Sequence, residues 1–329
     1  MIMLYPNFRR CIVSRSLIDK GDRIVAAVSG GIDSMVMLDL LCRLSPSMNL
    51  SIIAAHVNYK LRGRESNADE ALVKKAALRY GIPLETASLK PPKGKNLQDA
   101  ARRLRYDFFS QLAEKHGASA ICLAHHAGDQ AETVLLHLLR GSGLTGLRGM
   151  AFMSMQAGVR IVRPLLDAAR SDIALYAKER RIAFREDRTN AKIKYRRNSV
   201  RHRLIPLLRE FNPRIEDTLS QTALRLADDD DALDAIAEAS LDEALVADPA
   251  TRGEGVAINI DTYKAFPASI RRRLIRIAFE RMAGSTRDLN ADQLARIDHI
   301  ACAQKSAGEY RLPAGLRFTK AGQICTIHR

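Results

Sequence analysis

The chain has 329 residues, 47% of them hydrophobic, so it is long enough to form two domains that each have a core. The formal net charge at pH 7 is +15, from 52 Lys and Arg against 37 Asp and Glu, and this excess favours a polyanionic partner. No apolar run approaches the roughly 18 residues of a membrane span, and the basic amino-terminal stretch lacks a signal-peptide cleavage pattern. The five cysteines are scattered without C-x-x-C spacing, which argues against disulfides or a zinc or iron–sulfur site and predicts a cytoplasmic protein.

Apolar runs and helical patterns alternate through the first part of the chain. Runs typical of strands recur at 24–28, 51–57, 84–89 and 120–124, and helical spacing recurs between them at 35–44, 67–80 and 97–116. This alternation predicts an α/β fold, with a parallel-sheet nucleotide-binding domain that has helices on both faces. In such a sheet, ligands bind at the carboxyl ends of the strands.

The first predicted strand ends in a small-residue loop, Ser29-Gly30-Gly31-Ile32-Asp33-Ser34, and a helical pattern follows at once. The paired glycines allow positive φ, so backbone N–H groups of the loop and of the helix start can surround a phosphate. The two serine hydroxyls add donors, and Asp33 places a carboxylate where it can hold magnesium beside bound phosphates. The Walker sequence and the G-x-G-x-x-G fingerprint are absent here, and a tight turn with a serine cap is the alternative interpretation.

Two further polar clusters follow predicted strands, at His56-Val57-Asn58 and at 125–132. Asp129 and Glu132 are three residues apart on a predicted helix, so they share a face on which they can hold a metal or a cationic substrate. The alternative is that this acidic pair only complements the helix amino terminus. His125 and His126 are adjacent on an extended stretch, so we expect only one of them to point into the site.

Basic residues concentrate in the same part of the chain. Residues 1–215 contain 37 Lys and Arg against 19 Asp and Glu, whereas residues 216–329 contain 15 against 18. Arg102 and Arg105 lie off the apolar face of the helix at 97–116, Arg201 belongs to an Arg-rich stretch suited to phosphates, and residues 59–64 form a basic loop that could cover a ligand. We therefore predict a catalytic domain at 1–215 and a smaller, mostly helical domain at 216–329 that positions a large partner.

Together these motifs resemble the tRNA(Ile)-lysidine synthetase family of the N-type ATP pyrophosphatases, or PP-loop proteins. The loop at 29–34 is similar to the superfamily pattern SGGxDS. The family patterns HVNHxLR, ARxxRY, HHxDDQxET…RGSGxxGL, RPLL, Dx[ST]N and RNxxR are met, in that order, at 56–62, 101–106, 125–147, 163–166, 187–190 and 197–201. Two positions differ, because Tyr59 stands in place of the usual His and Gly128 in place of the first of two Asp.

The resemblance, which covers about residues 20–210, implies an ATP-dependent ligase that uses Mg²⁺. Members adenylate the C2 oxygen of the wobble cytidine in a tRNA(Ile) with a CAU anticodon. The ε-amine of L-lysine then attacks C2, which gives lysidine, AMP and pyrophosphate. For this chain the resemblance implies that the loop at 29–34, His56, Arg102 and Arg105 bind ATP, and that the residues at 216–329 position the tRNA.

The resemblance also implies catalytic roles for five side chains, namely Asp33, His125, Asp129, Glu132 and Arg201. Asp33 and Asp129 would hold the metal, either acidic residue of the pair at 129 and 132 would bind lysine, and the arginines would contact nucleotide or tRNA phosphates. Because the chain ends soon after the second domain, it resembles a short form of the family that lacks a further carboxy-terminal domain. The oligomeric state is left open, with a homodimer as one alternative.

Three other functions are compatible with a PP-loop. A tRNA thiolase would need a reactive cysteine pair, and the chain has no C-x-x-C. A small-molecule amidating ligase, of the GMP or NAD synthetase type, has no need for so basic a domain or for the added second domain. A catalytically inactive tRNA-binding protein would have no need for the intact loop and the acidic residues at 129 and 132.

Overall fold

The structure is a computed structural model that describes residues 3–60, 64–90, 97–156, 158–185, 196–247, 255–286 and 288–329. Two features of the sequence lie wholly or partly outside these residues, namely the basic loop at 59–64, of which 61–63 are outside, and the match to the pattern Dx[ST]N at 187–190. The chain divides into two compact units, Met1–Ala227 and Asp228–Arg329. Within the described ranges, no helix is long and apolar enough to cross a membrane.

The first unit alternates helices and strands as its sequence predicts. Its elements are α1 (Leu4–Ser14), β1 (Arg23–Ala27), α2 (Ile32–Met48), β2 (Ser51–Asn58), α3 (Arg64–Tyr80), β3 (Leu84–Ser88), α4 (Leu97–His116), β4 (Ala120–Cys122), α5 (Ala127–Leu138), α6 (Leu144–Leu147), β5 (Met153–Gln156), β6 (Val159–Val162), α7 (Arg170–Glu179), α8 (Arg196–Ser199), a π-helical turn (Val200–Leu204) and α9 (Ile205–Phe211). The four strands and the helices predicted between them are all present.

The strands of this unit form one sheet in the order β3-β2-β1-β4-β6-β5. All neighbours pair in parallel except β5, which pairs antiparallel to β6 at the edge. The β5–β6 hairpin was not predicted. The chain runs outward from β1 to β3 on one side and continues with β4 on the other, so the strand order reverses between β1 and β4. A crevice at such a reversal is where open α/β sheets bind their ligands.

Helices cover both faces of the sheet, because side chains alternate along each strand. Ile24 and Ala26 of β1 belong to a core that includes residues of α1, α2 and α7. Val25, between them, packs in a separate core with Tyr106 and Phe109 of α4. The predicted α/β fold with helices on both faces of a mostly parallel sheet is therefore confirmed.

The second unit combines helices with a small antiparallel sheet. Helix α10 (Ile215–Ala244) begins in the first unit and ends in the second, and is followed by β7 (Gly255–Asn259), α11 (Ile260–Ala265), α12 (Ala268–Ala283), α13 (Ala291–Cys302), β8 (Ala307–Arg311), β9 (Arg317–Ala321) and β10 (Ile324–His328). The sheet order is β7-β10-β9-β8. Strand β7 was not predicted from the sequence.

Candidate active site at the carboxyl ends of β1 and β4

The loop after β1 is held in shape by its own two serines. The hydroxyl of Ser34 accepts a hydrogen bond from the N–H of Ser29 at 3.1 Å and donates one to the carbonyl of Gly31 at 2.9 Å. The hydroxyl of Ser29 accepts from the N–H of Gly31 at 3.3 Å. Gly30 has a φ of +92°, in the region that favours glycine, and Ile32 turns its side chain into the core. Within the loop Gly30 is buried, whereas Ser29 is exposed and lines the crevice.

A second contact fixes this loop from the side of α3. A Cβ on Gly30 would lie 3.5 Å from the Cβ of Asp69, so the two backbones are already close. Asp69 pairs with the guanidinium of Arg185 at 2.7 Å, and the N–H of Arg185 donates to the carbonyl of Gly30 at 3.0 Å. The loop is thus tied to a distant part of the chain as well as to its own strand and helix.

A cavity of about 230 Å³ opens beside the loop. Ser29, Asp33, Ser34, Arg105 and His125 line its polar side. The rest of the wall includes an apolar set made of Ala27, Val28, Val57, Phe109, Leu123 and Ala124. An apolar slot next to a phosphate-binding loop suits a flat base attached to phosphates.

The other residues predicted to bind ATP lie in different places. Arg105 reaches the cavity, and its Nε is buried without a hydrogen-bond partner among the described residues. Arg102 is exposed and lies over the ring of Tyr106 at 5.4 Å, outside the cavity lining. His56 is buried at the end of β2, where its Nδ1 lies 2.8 Å from the carbonyl of Val28, directly before the loop. His56 therefore supports the loop rather than lining the cavity.

His126 lies between two of the predicted carboxylates. Its Nε2 is 3.9 Å from Asp33 and 3.6 Å from Asp129. Its Nδ1 accepts a hydrogen bond from the N–H of Gly128 at 3.0 Å, so the proton of a neutral ring is on Nε2 and faces the carboxylates. Asp129 in turn accepts from the N–H of His126 at 3.2 Å, which completes a reciprocal cap at the start of α5.

Burial and neighbouring charges give these groups different pKa values. Burial raises the pKa of Asp33, and Asp129 raises it further, while His126 acts in the opposite direction. Burial also acts to raise the pKa of Asp129, but His126, His125 and Arg197 outweigh it and lower this pKa. Burial lowers the pKa of His125 to about 3, so this ring is neutral near pH 7.

Two arginines neutralise the acidic pair on α5. Glu132 is buried and accepts one hydrogen bond from Nε of Arg197 at 2.8 Å and another, on its second oxygen, from Nε of Arg201. Asp129 receives longer contacts from Nη2 of the same arginines, at 3.5 and 3.3 Å. Burial acts to lower the pKa of Arg201, but its bond to Glu132 outweighs this and raises it. Glu132 is thus fully engaged, whereas Asp129 is held more loosely.

One carboxylate oxygen is placed as a metal ligand would be. Oδ1 of Asp33 is buried and has no hydrogen-bond partner among the described residues. A hard, charged oxygen of this kind suits magnesium, which takes a few carboxylates together with phosphate oxygens. Within the part of the chain that the structure describes, no three His, Cys, Asp or Glu side chains form a metal site by themselves. The remaining ligands would therefore come from a bound nucleotide or from water.

We did not predict His126 and Arg197 as site residues from the sequence. We expected only one histidine at the site, because neighbours on a strand face opposite ways, but β4 ends at Cys122 and both rings reach the crevice. The spacing from His126 to Asp129 is that of a capping box, which is the signal that could have found it. Arg197 is four residues before Arg201, the spacing at which two side chains share a helix face.

Gly128, which differs from the family pattern, lies directly against the ring of His126. A Cβ at this position would lie 2.8 Å from Cε1 of the His126 ring. Any side chain here would have to displace that ring from its capping position. The loss of an aspartate at 128 therefore accompanies a close approach of the imidazole to the backbone of α5.

The sequence of this chain is similar to two family models and to several known proteins. A family model described as a PP-loop domain matches residues 6–208, and one described as a TilS substrate binding domain matches residues 259–321. The tRNA(Ile)-lysidine synthase of Geobacter sulfurreducens is 37% identical over 306 residues, which cover 92% of this chain and 64% of that protein. That of Symbiobacterium thermophilum is 34% identical over 338 residues, which cover 99% of this chain and 69% of that protein. The chain belongs to the tRNA(Ile)-lysidine synthase family.

The predicted family and the PP-loop fold are thereby confirmed. The chain spans about two thirds of the length of these two tRNA(Ile)-lysidine synthases, 64% and 69%. Among solved structures, a U34-tRNA thiolase from Methanococcus maripaludis, determined with its [4Fe–4S] cluster, aligns with a TM-score of 0.58 and 18% identity, over 68% of this chain and 78% of that one. At that identity the likeness shows a shared fold.

Proposed function

We propose that this protein is a cytoplasmic ligase that converts the wobble cytidine of a tRNA(Ile) with a CAU anticodon to lysidine, using ATP and L-lysine. The observation that carries the proposal is the meeting of a phosphate-binding loop with two further carboxylates at one crevice. His126 lies within 4 Å of both Asp33, in the loop, and Asp129, which shares α5 with Glu132. A site for a nucleotide therefore adjoins a site for a cation.

ATP enters this site with its base in the apolar slot beside Phe109 and its phosphates at the loop. The C2 oxygen of cytidine attacks the α-phosphorus, and the bond to the bridging oxygen breaks, so pyrophosphate leaves. Backbone N–H groups at the start of α2 stabilise the charge that develops on this leaving group. Magnesium held by Asp33 would neutralise part of the same charge, whereas Asp129, the other predicted metal ligand, is assigned to lysine below. Arg105 supplies a further positive charge at the cavity wall.

The cation in the second step is lysine. Its amine must be unprotonated to attack C2, so a carboxylate that binds the ammonium and takes its proton favours the reaction. The new C–N bond replaces the bond from C2 to oxygen, and AMP leaves. His125 is neutral at the cavity wall, so it can accept or donate a hydrogen bond there without adding charge.

Of the two acidic residues on α5, we assign the lysine ammonium to Asp129. Both oxygens of Glu132 are occupied by guanidinium groups, one of them at 2.8 Å, whereas the contacts of Asp129 with the same groups are 3.3 and 3.5 Å long. An entering ammonium exchanges more easily for the longer contacts, because less hydrogen-bond energy is lost. Glu132 then orients Arg197 and Arg201, which remain next to the phosphates.

The proposal is tested with purified protein, ATP, magnesium, labelled lysine and a transcript of tRNA(Ile) with a CAU anticodon. We expect label in the tRNA only when ATP is present, together with release of AMP and pyrophosphate. A transcript with uridine at the wobble position is the matched control and should stay unlabelled. If folded protein that binds ATP transfers no lysine to the CAU transcript, the proposal is wrong.

A further inference from the structure

A second groove lies in the first unit, outside the site described above. It has a volume of about 340 Å³ and runs between the end of α5 and the segment 196–204. Leucines of both elements and Val200 form its apolar part. Three arginines also line the groove, and all three are exposed: Arg140, Arg196 and Arg203.

The groove and the catalytic carboxylates share the same two elements. On α5, Asp129 and Glu132 occupy the first half and Leu136 follows Glu132 by four residues, so it lies one turn further along the same face. On the facing segment, Arg197 and Arg201 reach the carboxylates, while Arg196 and Arg203 line the groove. The groove therefore lies one helical turn beyond the acidic pair, along the same two helical segments.

The arginines of the groove differ in their pairing from those on α12 of the second unit. Among the residues that the structure describes, Arg140, Arg196 and Arg203 form no ion pair and no side-chain hydrogen bond, and no acidic side chain lines the groove. By contrast, Arg271 and Arg273 on α12 of the second unit pair with aspartates at 2.8 and 2.6 Å. The second unit neutralises much of its own basic helix, whereas the groove keeps three positive charges available for an external anion.

We propose that this groove binds the phosphate backbone of the nucleotides next to the base that is modified. The proposal rests on the proposed function, because it identifies the anion as the tRNA substrate. Three guanidiniums around an apolar channel suit single-stranded RNA, whose phosphates take the charges while a ribose or base packs on the leucines. Such a contact holds the anticodon loop in register with the crevice, where the cytidine must reach the α-phosphate of ATP.

The test replaces Arg140, Arg196 and Arg203 by alanine, singly and together, and measures tRNA affinity over a range of salt concentrations. Each lost phosphate contact lowers the slope of log K against log salt by about 0.7 for single-stranded RNA, so the triple variant should lose about 2. Arg9→Ala is the matched control, since Arg9 is an exposed arginine on α1 of the same unit. ATP affinity and melting temperature should stay at the wild-type values.

An unchanged slope in the triple variant overturns the proposal. So does a triple variant that binds tRNA normally but sediments differently from the wild type, because the groove is then an interface between two copies of the chain. Lysidine formation by the wild type is measured in parallel. A wild type that makes no lysidine contradicts the proposed function, whereas a wild type that makes it, together with an unchanged salt slope, contradicts only the groove.

Discussion

Substitution of Asp129 tests most clearly whether this residue binds lysine or contributes to the reaction with ATP. The change is Asp129→Asn, which removes the charge and keeps an oxygen that can accept the capping N–H of His126. A hydrogen bond to a charged group contributes about 1.5–3 kcal/mol, so losing the contact with an ammonium should raise the KM for lysine about 10- to 100-fold. Because the arginine contacts of Asp129 are 3.3 and 3.5 Å long, we expect only a small loss of stability.

The two half-reactions are measured separately. Pyrophosphate release with tRNA and ATP but without lysine reports adenylation, and labelled lysine transferred to tRNA reports the second step. We expect the variant to keep its adenylation rate and to need far more lysine. Glu85→Gln is the control, since Glu85 also pairs with basic side chains, Lys115 and His116, away from the crevice, and it should change neither rate.

The opposite pattern would refute this division of roles. A variant that releases pyrophosphate much more slowly, yet has an unchanged KM for lysine, would show that Asp129 serves the magnesium ion or the nucleotide. Glu132→Gln should behave differently from Asp129→Asn and from Glu85→Gln, because it frees Arg197 and Arg201 rather than removing a lysine ligand. We expect it to lower the melting temperature as well as the rate, since it leaves two partly buried guanidiniums without their main partner.

Three further predictions follow from other parts of the first unit. Asp33→Ala should abolish pyrophosphate release and leave tRNA affinity unchanged in a binding assay, and loss of both would point to a folding role for the loop. Gly128→Ala should displace the His126 ring, cost about 1 kcal/mol of helix capping and slow adenylation, so an unchanged melting curve and rate would contradict the packing described above. Asp39→Asn should lower stability at pH 7 by about 2 kcal/mol, because two tyrosine hydroxyls donate to this buried carboxylate at 2.8 and 2.7 Å. Burial acts to raise the pKa of Asp39, but these bonds and Arg180 lower it, so its stabilisation exists above the unfolded pKa of about 4 and is lost as the pH falls further. Thermal melts should therefore show the wild type and this variant converging below about pH 4, and a constant difference would contradict the assignment.

Much of the fold could be predicted because the periodicity of the first unit is simple. Four strands alternate with helices, and polar residues come where three of these strands end. The β5–β6 hairpin escaped prediction because it has four-residue strands at the sheet edge, and its first strand is mostly exposed, so it lacks the apolar run that marks the inner strands. The short strand β7 is set by pairing with β10, about 70 residues later in the chain, which local sequence cannot indicate.

The residue types of the site could be predicted from the sequence, whereas the contacts between them were harder to predict. The loop at 29–34, Asp33 and the acidic pair on α5 follow from their positions at strand ends. Arg197 and Arg201 come 65 and 69 positions after Glu132 in the chain, so their contacts with it depend on how the chain packs after α7. His126 was missed because the alternation rule was applied beyond the end of β4. Side chains alternate only within a strand, and β4 ends at Cys122, three residues before His125.

The proposed reaction adds lysine to C2 of one cytidine in tRNA. It is tested most directly by digesting the tRNA after reaction and measuring the mass of the anticodon-loop fragment. We expect the fragment to gain the mass of one lysine less one water at the wobble cytidine, and we expect Asp129→Asn to show less of this gain at limiting lysine. An unchanged fragment, or one in which sulfur or an amino group has replaced the oxygen in place of lysine, would contradict the proposal.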